Sequence, residues 1–258
     1  MSLANDLIAG MHCWHAWTLK AWLDIVLRYR RTLIGPFWMV LTTGLVIACL
    51  AIIAPAIFGG GNPDFIPYLG AGVIVWSFIA LSLAELTGTF IEHSGEIQTV
   101  RNPYSAFVYR IILRNLIVFL HILIIYVVIA IISEKNFITS IPLFLCGVVL
   151  SVLNFVWIGF FLGILCARFR DIQQLIVSIL TVAFLITPVF WDKSALIGRR
   201  WIVDYNPLSH LLEVMRAPLI NQVPSAFSYA FLGISLVVGF TLTAYFYKRF
   251  MHRVVFWL

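Results

Sequence analysis

Charge is what this sequence has least of. Lys, Arg, Asp and Glu make up 11% of the chain, where an ordinary soluble domain carries about a quarter. With 62% of its residues hydrophobic, the chain has too few polar side chains to coat a water-facing globule, and the surplus apolar surface needs lipid as its solvent. A phosphate-binding loop is also missing. Nowhere do the residues read G-x-x-x-x-G-K followed by Ser or Thr, and Gly59-Gly60-Gly61 lacks the lysine. Any nucleotide hydrolysis therefore belongs to another chain. Cys13, Cys49, Cys146 and Cys166 show no metal-site spacing. By the spans given below, two are intramembrane and two lie near the inner surface, so disulfides are not expected. His12-Cys13-Trp14-His15 is too thin a set to hold a metal, and no Ser/His/Asp signature points to nucleophilic catalysis. The first twenty residues lack the basic, apolar and small-residue succession of a cleavable signal peptide. A net charge of +6 does not point to nucleic acid, because the basic residues flank apolar runs rather than gather on a polar surface.

What is present is organised around Arg28-Tyr29-Arg30-Arg31-Thr32-Leu33-Ile34-Gly35-Pro36-Phe37-Trp38. Arg28, Arg30 and Arg31 are costly in hydrocarbon and favourable beside anionic head groups, so they mark an inner membrane surface. Pro36 suits the first turn of a helix, and Phe37 and Trp38 fall where aromatic belts form. This junction fixes where the first span begins. Upstream, Trp14, Trp17, Ala21 and Ile25 follow helical spacing, which predicts an amphipathic helix over 5–27, lying in the interface plane or packed on the protein.

Six apolar segments, near 36–58, 67–90, 106–132, 141–166, 174–191 and 227–247, are long enough or nearly so to cross ~30 Å of hydrocarbon. With both termini inside, twelve basic residues flank the inner surface: Lys20, Arg28, Arg30, Arg31, Arg101, Arg110, Arg114, Arg168, Arg170, Lys248, Arg249 and Arg253. Lys135, Lys193, Arg199, Arg200 and Arg216 fall outside, making 12 against 5 of the 17 Lys and Arg. The positive-inside bias selects this orientation. Gly59–Asp64 and Ser133–Phe137 are short outer turns. No internal repeat or linker divides the chain, so it is read as an all-α polytopic single domain.

The long connection after the fifth segment carries the clearest local signal. Asn206-Pro207 reads as an N-cap with proline at the first helical position. Leu208, Leu211, Leu212 and Met215 then recur at i, i+3, i+4 and i+7. Thr187-Pro188 ends or kinks the fifth segment. Together these predict a partly re-entrant outer hairpin over 192–223, with a plain surface loop as the alternative. Within the spans, Glu85 and His121 are the polar residues that invite a proton-relay reading; pairing of Glu85 with an arginine or a polar cluster between helices is the commoner outcome. Phe155, Trp157, Phe160 and Phe161 crowd the fourth segment, where rings serve either sugar stacking or lipid and core packing. Glu92, His93, Glu96 and Arg101 after the second segment suit a short helix that touches another protein.

Four stretches together resemble the permease subunit of ABC-2 type exporters of O-antigen, capsule or teichoic acid polysaccharide. They are Arg28–Trp38, Ile97–Pro103, Arg168-Phe169-Arg170-Asp171-Ile172 and Asn206–Arg216. The resemblance implies a homodimer in the cytoplasmic (inner) membrane of a bacterium, seated on two ATP-binding cassette subunits that hold the ATP and Mg; this chain holds no cofactor. It also implies that the 5–27 helix and the loop over 91–104 contact those subunits, with Glu92, Glu96 and Arg101 expected to couple them. The outer hairpin, with Asn206, Pro207, Leu211 and Met215, is expected to gate a channel lined by aromatics, for which Phe155, Trp157, Phe160 and Phe161 are candidates. The expected cargo is an undecaprenyl-linked polysaccharide. The alternatives are an exporter of a small lipid, lipo-oligosaccharide or drug, a carrier or channel using Glu85 and His121, and a membrane scaffold.

Overall fold

Long apolar runs leave their backbone polar groups no partner but each other, and helices satisfy that demand. The computed structural model describes residues 2–35, 37–58, 64–134, 137–193 and 198–258, with 54–58 as backbone only. Pro36, Lys135 and residues 59–63, on which the expected outer turn falls, lie outside the described residues. Everything regular among the described residues is helical: α1 (Leu3–His12), α2 (Trp14–Tyr29), α3 (Phe37–Phe58), α4 (Phe65–Thr87), α5 (Ser94–Thr99), α6 (Tyr104–Ile132), α7 (Ile141–Arg168), α8 (Asp171–Ile186), α9 (Trp201–Asp204), α10 (Pro207–Leu219) and α11 (Ala226–Trp257).

By length and composition, α4, α6, α7 with its preceding 3-10 turn, and α11 can cross a membrane. Phe37–Ile53 of α3 and Asp171–Ile186 of α8 are apolar but shorter. At the end of α8, Thr187 turns extended and its N–H closes the last turn on Ala183, because Pro188 cannot continue the helix. Helix α4 is the centre: Leu69 to Phe78 is almost wholly buried beneath α3, α6, α7, α8 and α10.

Two expectations are corrected. The amphipathic segment at 5–27 is two helices, broken at Cys13. The break follows from α1 docking elsewhere: Asp6 accepts from the N–H groups of Tyr104 (3.1 Å) and Ser105 (2.8 Å), while the Ser105 hydroxyl donates to the Asp6 carbonyl (2.7 Å). A carboxylate at the N-terminus of α6 satisfies otherwise orphaned donors and opposes the helix dipole. The last helix also continues ten residues beyond Tyr247, since Lys248, Arg249 and Arg253 end an apolar span without ending a helix.

Candidate functional site

At the end of the bundle that carries α5, one face of α2 presents Lys20, Asp24 and Arg28, each a turn apart. Each reaches a different element. Lys20 pairs with Glu96 of α5. Asp24 accepts two bonds from Arg110 of α6, at 2.6 and 2.7 Å, and one from Arg114 at 3.3 Å. Arg28 donates to Glu85 of α4 at 3.0 Å, and Arg114 donates to the other oxygen of the same carboxylate at 2.7 Å. Glu96 also accepts from Arg110 (3.4 Å) and Asn102 (2.9 Å). Seven charged side chains thus join α2, α4, α5 and α6. Burial alone would raise the Asp24 and Glu96 carboxyls. The bonded Arg110 guanidinium and Lys20 ammonium outweigh it, and both carboxyls sit below their usual range. His93, pinned by its Nδ1 on the Thr89 carbonyl at 2.8 Å, is held down chiefly by burial.

This placement sorts the sequence candidates. Glu96 faces inward and bolts α5 to α2 and α6. Glu92 and Arg101 are exposed, and Arg101 forms no ion pair among the described residues. Glu85 is taken by two arginines. His121 lies seven residues beyond Arg114 on α6, about 10 Å along the axis, with its Nδ1 on the Ile117 carbonyl at 2.8 Å. No described hydrogen bond or ion pair joins Glu85 to His121. Arg28 belongs to the network, whereas Arg30, Arg31 and Trp38 are exposed.

At the opposite end, α10 is buried from Ser209 to Leu219 apart from Glu213, which is half-buried. Asn206 caps it, accepting from the Leu208 N–H at 3.0 Å and donating to the Thr187 hydroxyl at 2.9 Å, so the cap is tied to the break after α8. Pro207 occupies the first turn, and Leu211 and Met215 lie in the core. Two backbones approach α10 and the break closely. A Cβ on Gly147 of α7 would lie 2.2 Å from the Val214 carbonyl, and one on Gly72 of α4 would lie 2.1 Å from the Val189 carbonyl. Arg216, only 5% exposed, donates to the Pro188 carbonyl and lies 4.2 Å over the Tyr68 ring. Tyr68 in turn donates to the Trp191 carbonyl at 3.0 Å. Glu213 pairs with Lys193 and accepts from Ser228 at 3.1 Å, linking the connection to α11. A polar cavity of about 440 Å³ opens here, lined in part by Tyr68, Lys193, Arg200, Glu213 and Arg216.

The aromatic candidates are corrected in part. Phe155 and Phe160 are fully buried within the single chain, against Phe78 and against Phe90 and Tyr247, where they pack as core residues. Trp157 and Phe161 are half-buried; Trp157 donates to Asn154 at 3.0 Å, and Phe161 packs edge-on against Phe246 of α11. Sequence reasoning missed Asp6 and Asp24, whose only signal is an acidic residue on an otherwise apolar or basic helix face.

Two curated proteins are similar to the chain over most of its length. The O-antigen export system permease protein RfbA of Klebsiella pneumoniae is 21% identical over 225 residues, covering 85% of each chain. Its namesake in Myxococcus xanthus is 20% identical over 231 residues, covering 88% of this chain and 89% of its own. The family model described as ABC-2 type transporter matches residues 16–220, from the charge ladder of α2 to the end of α10. On that match, the chain belongs to the ABC-2 type transporter family, as a membrane transport subunit.

Proposed function

We propose that the chain is the permease subunit of an ATP-driven exporter that moves a lipid-linked polysaccharide of the O-antigen kind outward across a bacterial inner membrane. In this reading α3, α4, α6, α7, α8 and α11 are six spans with both termini inside. Two copies pair, and two ATP-binding cassette subunits sit below α2 and α5. The observation that carries the proposal is the ion network joining those two helices to α4 and α6. A push delivered to α2 or α5 is passed to the spans through bonds of 2.6–3.4 Å rather than through loose loops. Export then requires only that the two nucleotide states favour different arrangements of the spans.

The polysaccharide cargo rests on the names of the two relatives. The re-entrant outer hairpin is supported by Gly147 and Gly72, six and seven residues inside their helices, which is about 10 Å from the ends that α10 and the break would otherwise only cap. The proton-carrier alternative loses its carboxylate, because Glu85 is already neutralised by Arg28 and Arg114.

The test is reconstitution. The purified chain should bring down an ATP-binding cassette protein, and proteoliposomes holding both should move lipid-linked polysaccharide only with ATP. Transport by this chain alone would refute the proposal.

A further inference from the structure

The three arginines before α3 do different work. Arg28 is bonded to Glu85 at 3.0 Å. Arg30 and Arg31 are exposed and, among the described residues, form no ion pair. The turn that follows them is fixed: the Thr32 N–H and hydroxyl both donate to the Tyr29 carbonyl, at 3.0 and 2.9 Å, and Gly35 takes a positive φ of 56°. That turn leaves Leu33 fully exposed and forms a shallow, open surface cleft along Leu33, Ile34, Phe37, Val40 and Leu41. Its lining is apolar, and the guanidinium groups of Arg30 and Arg31, without an ion pair among the described residues, stand on the residues just before it.

We propose that this cleft and the two arginines seat an anionic phospholipid of the inner leaflet. The phosphate sits on Arg30 and Arg31, and an acyl chain lies along Phe37, Val40 and Leu41. The complementarity is specific in kind. A guanidinium presents paired donors to phosphate oxygens, and an apolar wall beside it demands a ligand that is amphipathic rather than a free anion. A neutral phospholipid satisfies the wall and brings a phosphate that its own ammonium already balances. Arg28 is excluded from this role because moving it would strip Glu85 of a partner.

Native mass spectrometry of the purified full-length chain, titrated with phosphatidylglycerol and phosphatidylcholine, tests this directly and needs neither an ATPase nor transport, so its outcome is separate from that of the export proposal. The wild-type chain should retain phosphatidylglycerol over phosphatidylcholine by roughly tenfold, a conservative reading of two basic residues at an anionic surface. Arg30→Gln with Arg31→Gln should reduce that preference severalfold, to what the remaining inner-surface basic residues give, and Phe37→Ala should lower retention of both lipids while leaving their ratio. Both changes are at exposed positions, and an unchanged melting temperature checks the fold. Equal retention by the wild-type chain, or a preference undiminished in the double glutamine variant, overturns the site. So does complete displacement of phosphatidylglycerol by an equimolar prenyl diphosphate, which would assign the cleft to a transported lipid instead.

Discussion

Asp24→Asn is the sharpest probe of the charge network. The substitution keeps the size of the side chain, removes its charge, and turns an amide NH2 toward guanidinium groups that held oxygens at 2.6, 2.7 and 3.3 Å. Exposed ion pairs are worth about 0–1 kcal/mol, whereas removing one partner of a buried pair costs about 3–5 kcal/mol. Here the side chains are 17% exposed for Asp24, 15% for Arg110 and 7% for Arg114, which puts the site close to the buried case. Two partners soften the loss, since Arg110 keeps Glu96 at 3.4 Å and Arg114 keeps Glu85 at 2.7 Å. The expected cost is therefore about 2–3 kcal/mol, intermediate between those limits, which for a chain of this size lowers the melting temperature by about 4–12 °C. Intrinsic fluorescence of the detergent-purified protein, which has nine tryptophans, reads this out. In the double variant Asp24→Asn with Arg110→Gln, the loss should be smaller than the sum of the two singles, because both remove the same interaction. A melting point within about 1 °C of the parent, or strictly additive losses, would mean that α2 is held by its apolar stripe of Trp17, Ala21 and Ile25 alone, and the coupling argument would lose its foundation.

Two further outcomes follow from the geometry. Gly147→Val places a side chain where a single Cβ already meets the Val214 carbonyl at 2.2 Å; backbone cannot retreat as a flexible side chain does, so α10 should detach from α7, measured as a collapse of the monodisperse peak in size exclusion, while the same change at exposed Gly95 should be tolerated. Stability should fall in two stages as the medium is acidified. His93 has a lowered pKa, so its contribution is present above its ordinary value near 6.5 and declines as pH drops below it; Asp24 and Glu96 are also lowered, so theirs persists above about 4 and disappears only in stronger acid. A melting-temperature profile in which His93→Gln fails to remove the stage that begins near pH 6.5 would reject the first assignment.

How much of this was legible in the sequence depended on how far apart the cooperating residues lie. The cap and stripe of α10 are local, and Asn206-Pro207 with leucines at helical spacing foretold its start at Pro207, while its end lies at Leu219, one residue past Pro218. The apolar runs likewise foretold α3, α6 and α7 to within about two residues, since a helix is the sole way for such a run to hide its own backbone. The network is another matter. Asp24 and Arg110 are 86 residues apart, and Asp6 and Ser105 are 99; nothing in a single chain's spacing pairs them. For the same reason Glu96 looked like an outward-facing contact, because its exposure depends on a helix that the sequence places 76 residues away. The rings of α7 were ambiguous for a different cause. A phenylalanine on a lipid-embedded helix reads identically whether it faces a pore, a lipid tail or, as for Phe155 and Phe160, the interior. The overrun of α11 shows that hydropathy locates the end of an apolar stretch, which need not be the end of the helix.

Arg216 has a consequence of its own. One guanidinium serves the carbonyl that Pro188 leaves open and the face of Tyr68, and its own helix is anchored through Glu213 to Lys193 and Ser228. Three stretches far apart in the chain are therefore moored to a single cation with almost no access to water. Pulling any one of them away by more than a bond length would cost that buried cation one of its partners, a penalty no small displacement can share out. This end of the bundle accordingly yields in steps: it moves as one block with its mooring intact, or the mooring is exchanged outright for another.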